Sequence, residues 1–362
     1  MDPDLARGCS LPSVPLLKPR RRWTSRDAEG HLSMALYFAK RACSLAIVLM
    51  VMSFIVFLLQ SVIPSDPARA IAGPYAPSST IETVREELGL NDPIAVQYGH
   101  FLLRVTAGDF GKSVRTRQPV GDDLLRYLPA TLELILVSTI LAMGLAFSLT
   151  LLLLGGARSQ ILRHVFVALG SIPIILLAVL LAYVFWFRVD WLPGSGRLQF
   201  RDFVGTTGFY VMDGLLAGRP DVSIDALAHL TLPATALALP FAVAIVRSLA
   251  GSLHDVMRQP YIRTARGKGL GEAAVVLRHG LRNAASAPLA MTGLQIRLLF
   301  GNLLVVESVF GWPGLGLYMT ESFATADLPA ILGVSMVFGT IYILASIAVE
   351  IAQSLTDPRI EL

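Results

Sequence analysis

Six long apolar runs dominate this chain of 362 residues. They extend from about Leu36 to Ile63, Ala130 to Leu154, Ile161 to Phe187, Leu227 to Val246, Ala284 to Val306 and Ala330 to Ala352. A helix needs about 20 apolar residues to cross a bilayer core, where its backbone polar groups must be satisfied internally. The runs therefore predict an all-α membrane protein with about six transmembrane helices. Composition agrees, with 54% hydrophobic and only 15% charged residues. A soluble domain carries roughly 25% charged residues, so a single soluble globule is excluded. The apolar content also excludes a disordered chain. The first run is too long for a signal-peptide core and lacks a small-residue cleavage site after it, so it reads as a retained span.

The net charge of +4 would suggest nucleic acid in a soluble protein. Here the basic residues flank apolar runs, so they read as orientation signals. Lys40 and Arg41 open the first span, and Arg158 and Arg163 lie in the second loop. Arg247, Arg258, Arg263, Arg266, Lys268, Arg278 and Arg282 crowd the fourth, whereas 310–329 has no Lys or Arg. The positive-inside rule then places both termini and the second and fourth loops in the cytoplasm. The loops at about 64–128, 188–226 and 310–329 face outside.

The large outside loop should be folded. Ser79-Thr80-Ile81-Glu82 fits a capping box, with a short helix from Ile81 to Leu88 stopped at Gly89. Asp122 to Pro129 reads as an interfacial segment feeding the second span. The expected organisation is a disordered extension over 1–33, the first helix at 34–63, an extracytoplasmic loop domain at 64–128 and a five-helix core at 129–362. The extension holds Pro3, Pro12, Pro15, Pro19 and Arg20-Arg21-Arg22 without an apolar period, and reads as a solvated tail.

Enzyme signatures fail. Cys9 and Cys43 cannot build a disulfide framework or a cysteine metal site. There is no His-Glu-x-x-His helix and no Gly-x-Ser-x-Gly elbow. Gly111-Lys112-Ser113 ends like a phosphate loop, but Thr106 stands where the first glycine belongs. The segment also lies in an outside loop between membrane spans, whereas a phosphate loop sits between a strand and a helix.

The fourth loop, 251–283, is the most informative segment. Pro260 suits a first helical turn, and Gly269 suits a left-handed stop. Between them lie Tyr261, Arg263, Thr264, Ala265, Arg266 and Lys268. A short basic helix held between two spans could dock in a groove of a cytosolic partner and transmit rigid-body motion. Positive-inside charge alone would not require two helix-stop signals.

The loop resembles the coupling-helix (EAA) motif of binding-protein-dependent ABC importer permeases. Arg263-Thr264-Ala265-x-x-x-Gly269 is similar to the Glu-Ala-Ala-x-x-x-Gly core of that motif. His279-Gly280-Leu281-Arg282 replaces its usual Ile-x-Leu-Pro ending. That departure resembles the dipeptide, oligopeptide and nickel branch, as do Tyr261 to Leu270 and Arg278 to Asn283. Further landmarks run along the chain after residue 33: Asp66-Pro67-Ala68, Leu88-Gly89-Leu90, Gly108-Asp109-Phe110-Gly111, Leu128-Pro129-Ala130-Thr131, Trp191-Leu192-Pro193, Glu307-Ser308-Val309-Phe310 with Trp312-Pro313-Gly314, and Asp357-Pro358-Arg359. Met34 to Arg41 resembles the family's usual start, so translation from Met34, or a dispensable 1–33 tail, is expected.

The resemblance implies a type I ABC importer permease fold with a cytoplasmic coupling helix. It implies half a pore in a bacterial inner membrane, with a second homologous permease subunit as partner. Two cytoplasmic ATPase subunits would hold ATP and Mg, and an extracytoplasmic substrate-binding protein would deliver substrate. This chain itself would bind no cofactor and catalyse no reaction. Short peptides lead among substrates. Nickel chelates, glutathione-like peptides and anionic opine or sugar-phosphate conjugates stay open, as does a self-contained secondary transporter. The expected coupling residues are Tyr261, Arg263, Thr264, Ala265, Arg266, Lys268 and Gly269, where Arg266→Glu or Gly269→Asp should uncouple transport.

Arg297 departs from the family, whose members usually carry a small or apolar residue there. It lies about 14 residues, or roughly 21 Å, past Asn283. An arginine near midplane costs about 2.5–3.5 kcal/mol on insertion scales. Two readings stand: a pore-facing cation for an anionic substrate group, or a structural role, either paired with Glu133 or Glu350 or snorkelling. Arg297, Asn302, Glu307 and Trp312 form the expected substrate path. By family analogy Glu133 and Glu307 are structural or gate residues, and Trp312-Pro313-Gly314 is a rigid turn at the outside mouth.

Overall fold

The computed structural model describes residues 24–62, 76–87, 91–153, 157–200 and 202–356. The readings of residues 1–23, Asp66-Pro67-Ala68, Leu88-Gly89-Leu90 and Asp357-Pro358-Arg359 lie outside these residues. The chain divides into two compact units, Met1–Ala42 and Cys43–Leu362. Helix α1 spans Thr24–Val62. It begins within the stretch 1–33 expected to be a tail, so residues 24–33 are helical.

Five helices among the described residues are long and apolar enough to cross a membrane. They are α1, α4 (Val120–Leu153), α8 (Pro220–Met257), α12 (Ser286–Val309) and α14 (Leu328–Thr356). The third apolar run does not form one continuous helix. It breaks into α5 (Ala157–Leu169) and α6 (Ile174–Leu181), which continues as a π-helical turn over Ala182–Arg188. Pro173, at φ −52 and ψ 136, is extended rather than helical and cannot donate into a continuing ladder. Length and hydropathy are therefore satisfied in this run, but backbone continuity is not.

The opposite correction applies to α4 and α8. Asp122 to Pro129 is not a separate interfacial segment, because α4 runs unbroken through Pro129. The fourth span, expected at Leu227 to Val246, extends over 38 residues despite Pro233 and Pro240. At 1.5 Å per residue that helix is about 57 Å long. Hydropathy marks only the part that matches hydrocarbon, while backbone hydrogen bonding carries the helix beyond it. In the loop after α1, α2 (Ser78–Glu87) starts earlier than the capping box suggested. The Ile81 amide donates to Pro77 O at 3.1 Å, so Ser79 and Thr80 occupy the first turn. Helix α3 (Ile94–Thr106) follows.

Helix α8 is the centre of the second unit. Ala226, Ala234, Ala236, Ala238 and Ala242 are all buried on it, and small side chains let neighbouring helix backbones approach. One apolar cluster joins Ala130 and Leu134 of α4, Ala178 of α6, Leu230 and Leu237 of α8, and Leu303 and Val306 of α12. A second continues along the same helices through Ala142, Ala146, Phe241, Ile245 and Leu299. Val56, Phe57, Phe101, Val105, Leu332 and Met336 pack α1 and α3 against α14. Helices α7 (Tyr210–Leu216) and α13 (Leu315–Ala324) lie in the connections before α8 and α14.

Candidate functional site

Two places carry the polar residues singled out from the sequence. They sit at opposite ends of α8 and α12. One is the connection that follows α8, and the other is the turn that follows α12.

The first begins at Gln259, whose backbone is extended, and Pro260 then opens α9 (Pro260–Gly267). The helix is closed by Gly269 at φ +79, a left-handed conformation that glycine adopts without a Cβ penalty. Ile262 is fully buried and Ala265 nearly so, packed with Val275 and flanked by Met257 and Leu270. Tyr261, Arg263, Thr264, Arg266, Lys268 and Gly269 are exposed. Three residues, Ile262, Ala265 and Val275, thus form the seat, and the basic side chains face away from it. Ala265, expected as a coupling residue, belongs to the seat rather than to the exposed face.

Arg266 does more than add charge. Its Nε and Nη2 donate to Glu272 Oε2 and Oε1 at 2.9 and 2.5 Å. These hydrogen bonds, with the charge attraction behind them, hold the Glu272 carboxyl below its usual value and the Arg266 guanidinium above. The fork spans the Gly267–Gly271 turn and ties α9 to α10 (Glu272–Val275). The chain then passes through a π-helical turn, Val276–Gly280, and α11 (Leu281–Ala284) into α12. Glycines at 267, 269 and 271 would otherwise leave this turn loose.

At the other end the polar residues face inward. Glu307, near the end of α12, is fully buried. Thr131 Oγ1 donates to its Oε1 at 2.8 Å, and the Leu317 amide donates to Oε2 at 3.0 Å. Thr131 Oγ1 in turn accepts from the Leu315 amide at 2.7 Å. Trp312 is also buried, and its indole Nε1 donates to Ala130 O at 3.0 Å. The carboxyl and the indole therefore fasten the turn after α12 onto α4. The open turn of α13 is satisfied at the same time, because its first amides find acceptors here.

Glu133 pairs with Arg197, a residue the sequence reading did not single out. Both are nearly sealed from solvent. Arg197 Nη2 also donates to Gly208 O at 2.7 Å, and the Val211 amide donates to Glu133 Oε1 at 3.0 Å. The guanidinium lies 4.2 Å from the Tyr210 ring centroid and 5.3 Å from that of Trp312. Asp213 gathers the neighbouring loop. Thr206 and Thr207 hydroxyls and the Thr207 and Gly208 amides all donate to it. Burial opposes its charge, but these donors, Thr207 foremost, hold its carboxyl below the ordinary range.

The remaining loop is pinned in the same manner. Ser113 Oγ and the Arg115 amide donate to Asp327 Oδ2 at 2.5 and 3.2 Å. Tyr318 OH donates to Asp123 Oδ2 at 2.9 Å, and burial with that carboxylate alongside pushes its phenol above the usual value. Ser113, from the sequence that imitates a phosphate loop, is thus an anchor.

The expected path residues therefore separate. Glu307 and Trp312 lie inside this chain, and any further subunit can only bury them more. Asn302 is half-buried on α12. Arg297 is exposed, midway along α12, with Nε and Nη2 donating to Tyr342 OH at 3.3 and 3.0 Å. Among the described residues its polar partner is this hydroxyl, not Glu133 or Glu350. Arg197 and Tyr342 carry no signal in the sequence because each is given its role by a distant partner; Asp213 sits in no motif, and Thr131 is marked only as part of a family landmark.

Comparison with known proteins covers nearly all of this architecture. Residues 34–135 match the family model described as the N-terminal part of the binding-protein-dependent transport system membrane component. Residues 135–362 match that of the binding-protein-dependent transport system inner membrane component. A dipeptide transport system permease protein of Alkalihalophilus pseudofirmus is 35% identical over 91% of this chain and 100% of its own length. A probable D,D-dipeptide transport system permease protein of Escherichia coli K12 is 33% identical, over 89% of this chain and 96% of its own. A glutathione transport system permease protein of the same strain is 34% identical, over 90% and 98%. The apolar spans, the seated basic helix and the match over residues 34–362 agree, and this chain belongs to the family of inner membrane components of binding-protein-dependent transport systems.

Proposed function

We propose that this chain forms half of the membrane pathway of an ATP-driven importer of short peptides. A second, homologous permease subunit completes the pathway. Two cytoplasmic ATPase subunits, holding ATP and Mg, bind beneath, and an extracytoplasmic binding protein delivers the substrate. The termini and α9 face the cytoplasm, as the crowd of Arg and Lys at 247–282 requires of a positive-inside loop.

The observation that carries this reading is the build of α9. A short helix stands on a buried apolar seat, is locked by the Arg266–Glu272 fork, and turns its other basic residues outward. Such an element can accept force from a docked partner and pass it rigidly into α8 and α12. The dipeptide and glutathione permeases among the relatives support peptide-sized substrates, with glutathione-like peptides as the second reading.

Uptake of labelled di- and tripeptides, with the partner subunits present and with or without this chain, tests the proposal. Loss on deletion and rescue on return are expected. Arg266→Glu should abolish uptake while leaving membrane insertion intact, because it sets like charges against each other at the fork. The double exchange Arg266→Glu with Glu272→Arg rebuilds the fork with reversed polarity. Recovery would assign Arg266 to bracing the loop, and continued loss would assign it to the partner. Wild-type uptake by the single variant would overturn the coupling role.

A further inference from the structure

We infer that Arg297, braced by Tyr342, is the residue of this chain that meets a carboxylate of the substrate in passage. The inference rests on the peptide-importer reading above and deepens it.

Arg297 is the twelfth residue of α12, whose 24 residues run Ser286–Val309. It is about 16–18 Å from either end of the helix at 1.5 Å per residue. That is too far for its side chain to reach an interface by snorkelling. A guanidinium facing hydrocarbon at this depth is costly, so the face that carries it must meet something polar.

That face is distinct from the packed one. Thr292, Leu299, Leu303 and Val306 are buried, while Ala290, Leu294, Arg297, Gly301 and Ser308 are exposed along one side. Among the described residues nothing stands within 4 Å of a Cβ added at Gly301. The guanidinium therefore borders open space one turn above it.

The bracing leaves the useful donors free. An arginine has five N–H donors. Nε and one Nη2 hydrogen go to the Tyr342 hydroxyl. Among the described residues the two Nη1 hydrogens and the second on Nη2 remain without an acceptor, and they form the parallel edge that a carboxylate accepts in bidentate fashion. Tyr342 is itself set by Phe300, whose ring meets it edge-on at 6.4 Å. The hydroxyl thus fixes the orientation of the fork without neutralising it. A buried structural pair would have supplied a carboxylate; the Glu133 oxygens are instead taken by Arg197. Free peptides always carry a carboxylate, so charge complementarity names the occupant of this open edge. Arg297 is a specificity residue and Tyr342 a positioning residue.

The test uses the assembled transporter in proteoliposomes, with the same binding protein throughout. Uptake of a labelled tripeptide with a free carboxylate is compared with that of its C-terminal amide. For each peptide the variant is divided by wild type, which cancels the selectivity of the binding protein. Arg297→Gln should lower carboxylate-peptide uptake by about tenfold and leave the amide within about twofold. Arg297→Lys should recover part of the loss. Tyr342→Phe should raise the half-saturating concentration for the carboxylate peptide with little change in maximal rate. Equal losses for both peptides in an intact assembly would overturn the inference and make Arg297 a gating residue. Unchanged uptake would overturn it as well. Loss of co-purification with the second permease would overturn it by assigning Arg297 to the subunit interface. Absence of uptake of either peptide by wild type would instead overturn the peptide reading, and the inference with it.

Discussion

Gly314→Ala should be among the most damaging small substitutions in this chain, and the turn after α12 shows why. The backbone there is ordinary, at φ −116 and ψ −175, so strain contributes nothing. A methyl group, however, would come under 3.0 Å from both Glu307 oxygens and from Thr131 Oγ1. All three are buried and already committed. Making room displaces the carboxyl and breaks its bonds from Thr131 and the Leu317 amide. A buried polar group left unmade costs about 1–3 kcal/mol, or roughly 2–6 kcal/mol for the two. Replacing glycine by alanine returns about 0.4–1 kcal/mol through the unfolded chain. The net loss is about 1–6 kcal/mol.

Thermal unfolding in detergent micelles, followed by tryptophan fluorescence, gives the readout, since Trp312 lies in the affected turn. A midpoint several degrees below wild type is expected. Gly144→Ala is the control. It lies inside α4 with nothing within 4 Å of the added methyl group, so the sign should reverse through helix propensity, by about 1 kcal/mol. Pairing Gly314→Ala with Glu307→Ala removes the clashing carboxyl. The double variant should lose less than the sum of the singles by about 0.5–3 kcal/mol. A Gly314→Ala midpoint at or above wild type would refute the account of the turn.

Arg197→Met should cost about 3–5 kcal/mol, because it strands the Glu133 carboxyl inside the protein; the same unfolding assay checks it, with Glu133→Gln/Arg197→Met expected to recover part of the loss. Ile262→Ala should loosen the seat of α9 by about 2–5 kcal/mol locally, seen as faster hydrogen exchange over residues 260–270 and weaker transport. Asp213 gives a pH dependence of known sign. Its folded value lies below the unfolded one, so the folded state binds fewer protons and the contribution is present above the ordinary carboxylate range, near pH 4. It is lost as pH falls further, through the folded value. Asp213→Asn should lower stability at neutral pH and flatten the decline on the acid side; an unchanged acid slope would count against the loop-gathering role.

The spans were legible in the sequence because the bilayer imposes a length and an apolar composition that neither folding partner nor loop can alter. The basic helix was legible for a different reason: Pro260 and Gly269 are local stop signals, and a short helix is decided by its own ends. The failures have equally specific causes. The run from Ile161 to Phe187 passes a hydropathy count, yet Pro173 divides it, since continuity depends on one missing amide rather than on average polarity. The extent of α8 was underestimated because its ends leave the hydrocarbon and hydropathy stops reporting there.

The site divided along the same line. Sequence alone marked Arg263, Thr264, Arg266 and Lys268 as a basic helix and Arg297 as a costly group near midplane, while family analogy marked Glu307 as a structural or gate residue. It could not say that Arg266 is tied to Glu272, or that Glu307 is walled in by Thr131 and the amide of Leu317. Nor could it pair Glu133 with Arg197, 64 residues away, or set Tyr342 beneath Arg297. Composition and local stop signals fix what each segment must be, because bilayer and backbone chemistry act on neighbours in the chain. Which buried charge meets which partner is decided only when distant helices pack, because desolvation penalises every polar group alike and tertiary contact alone selects the one that relieves it.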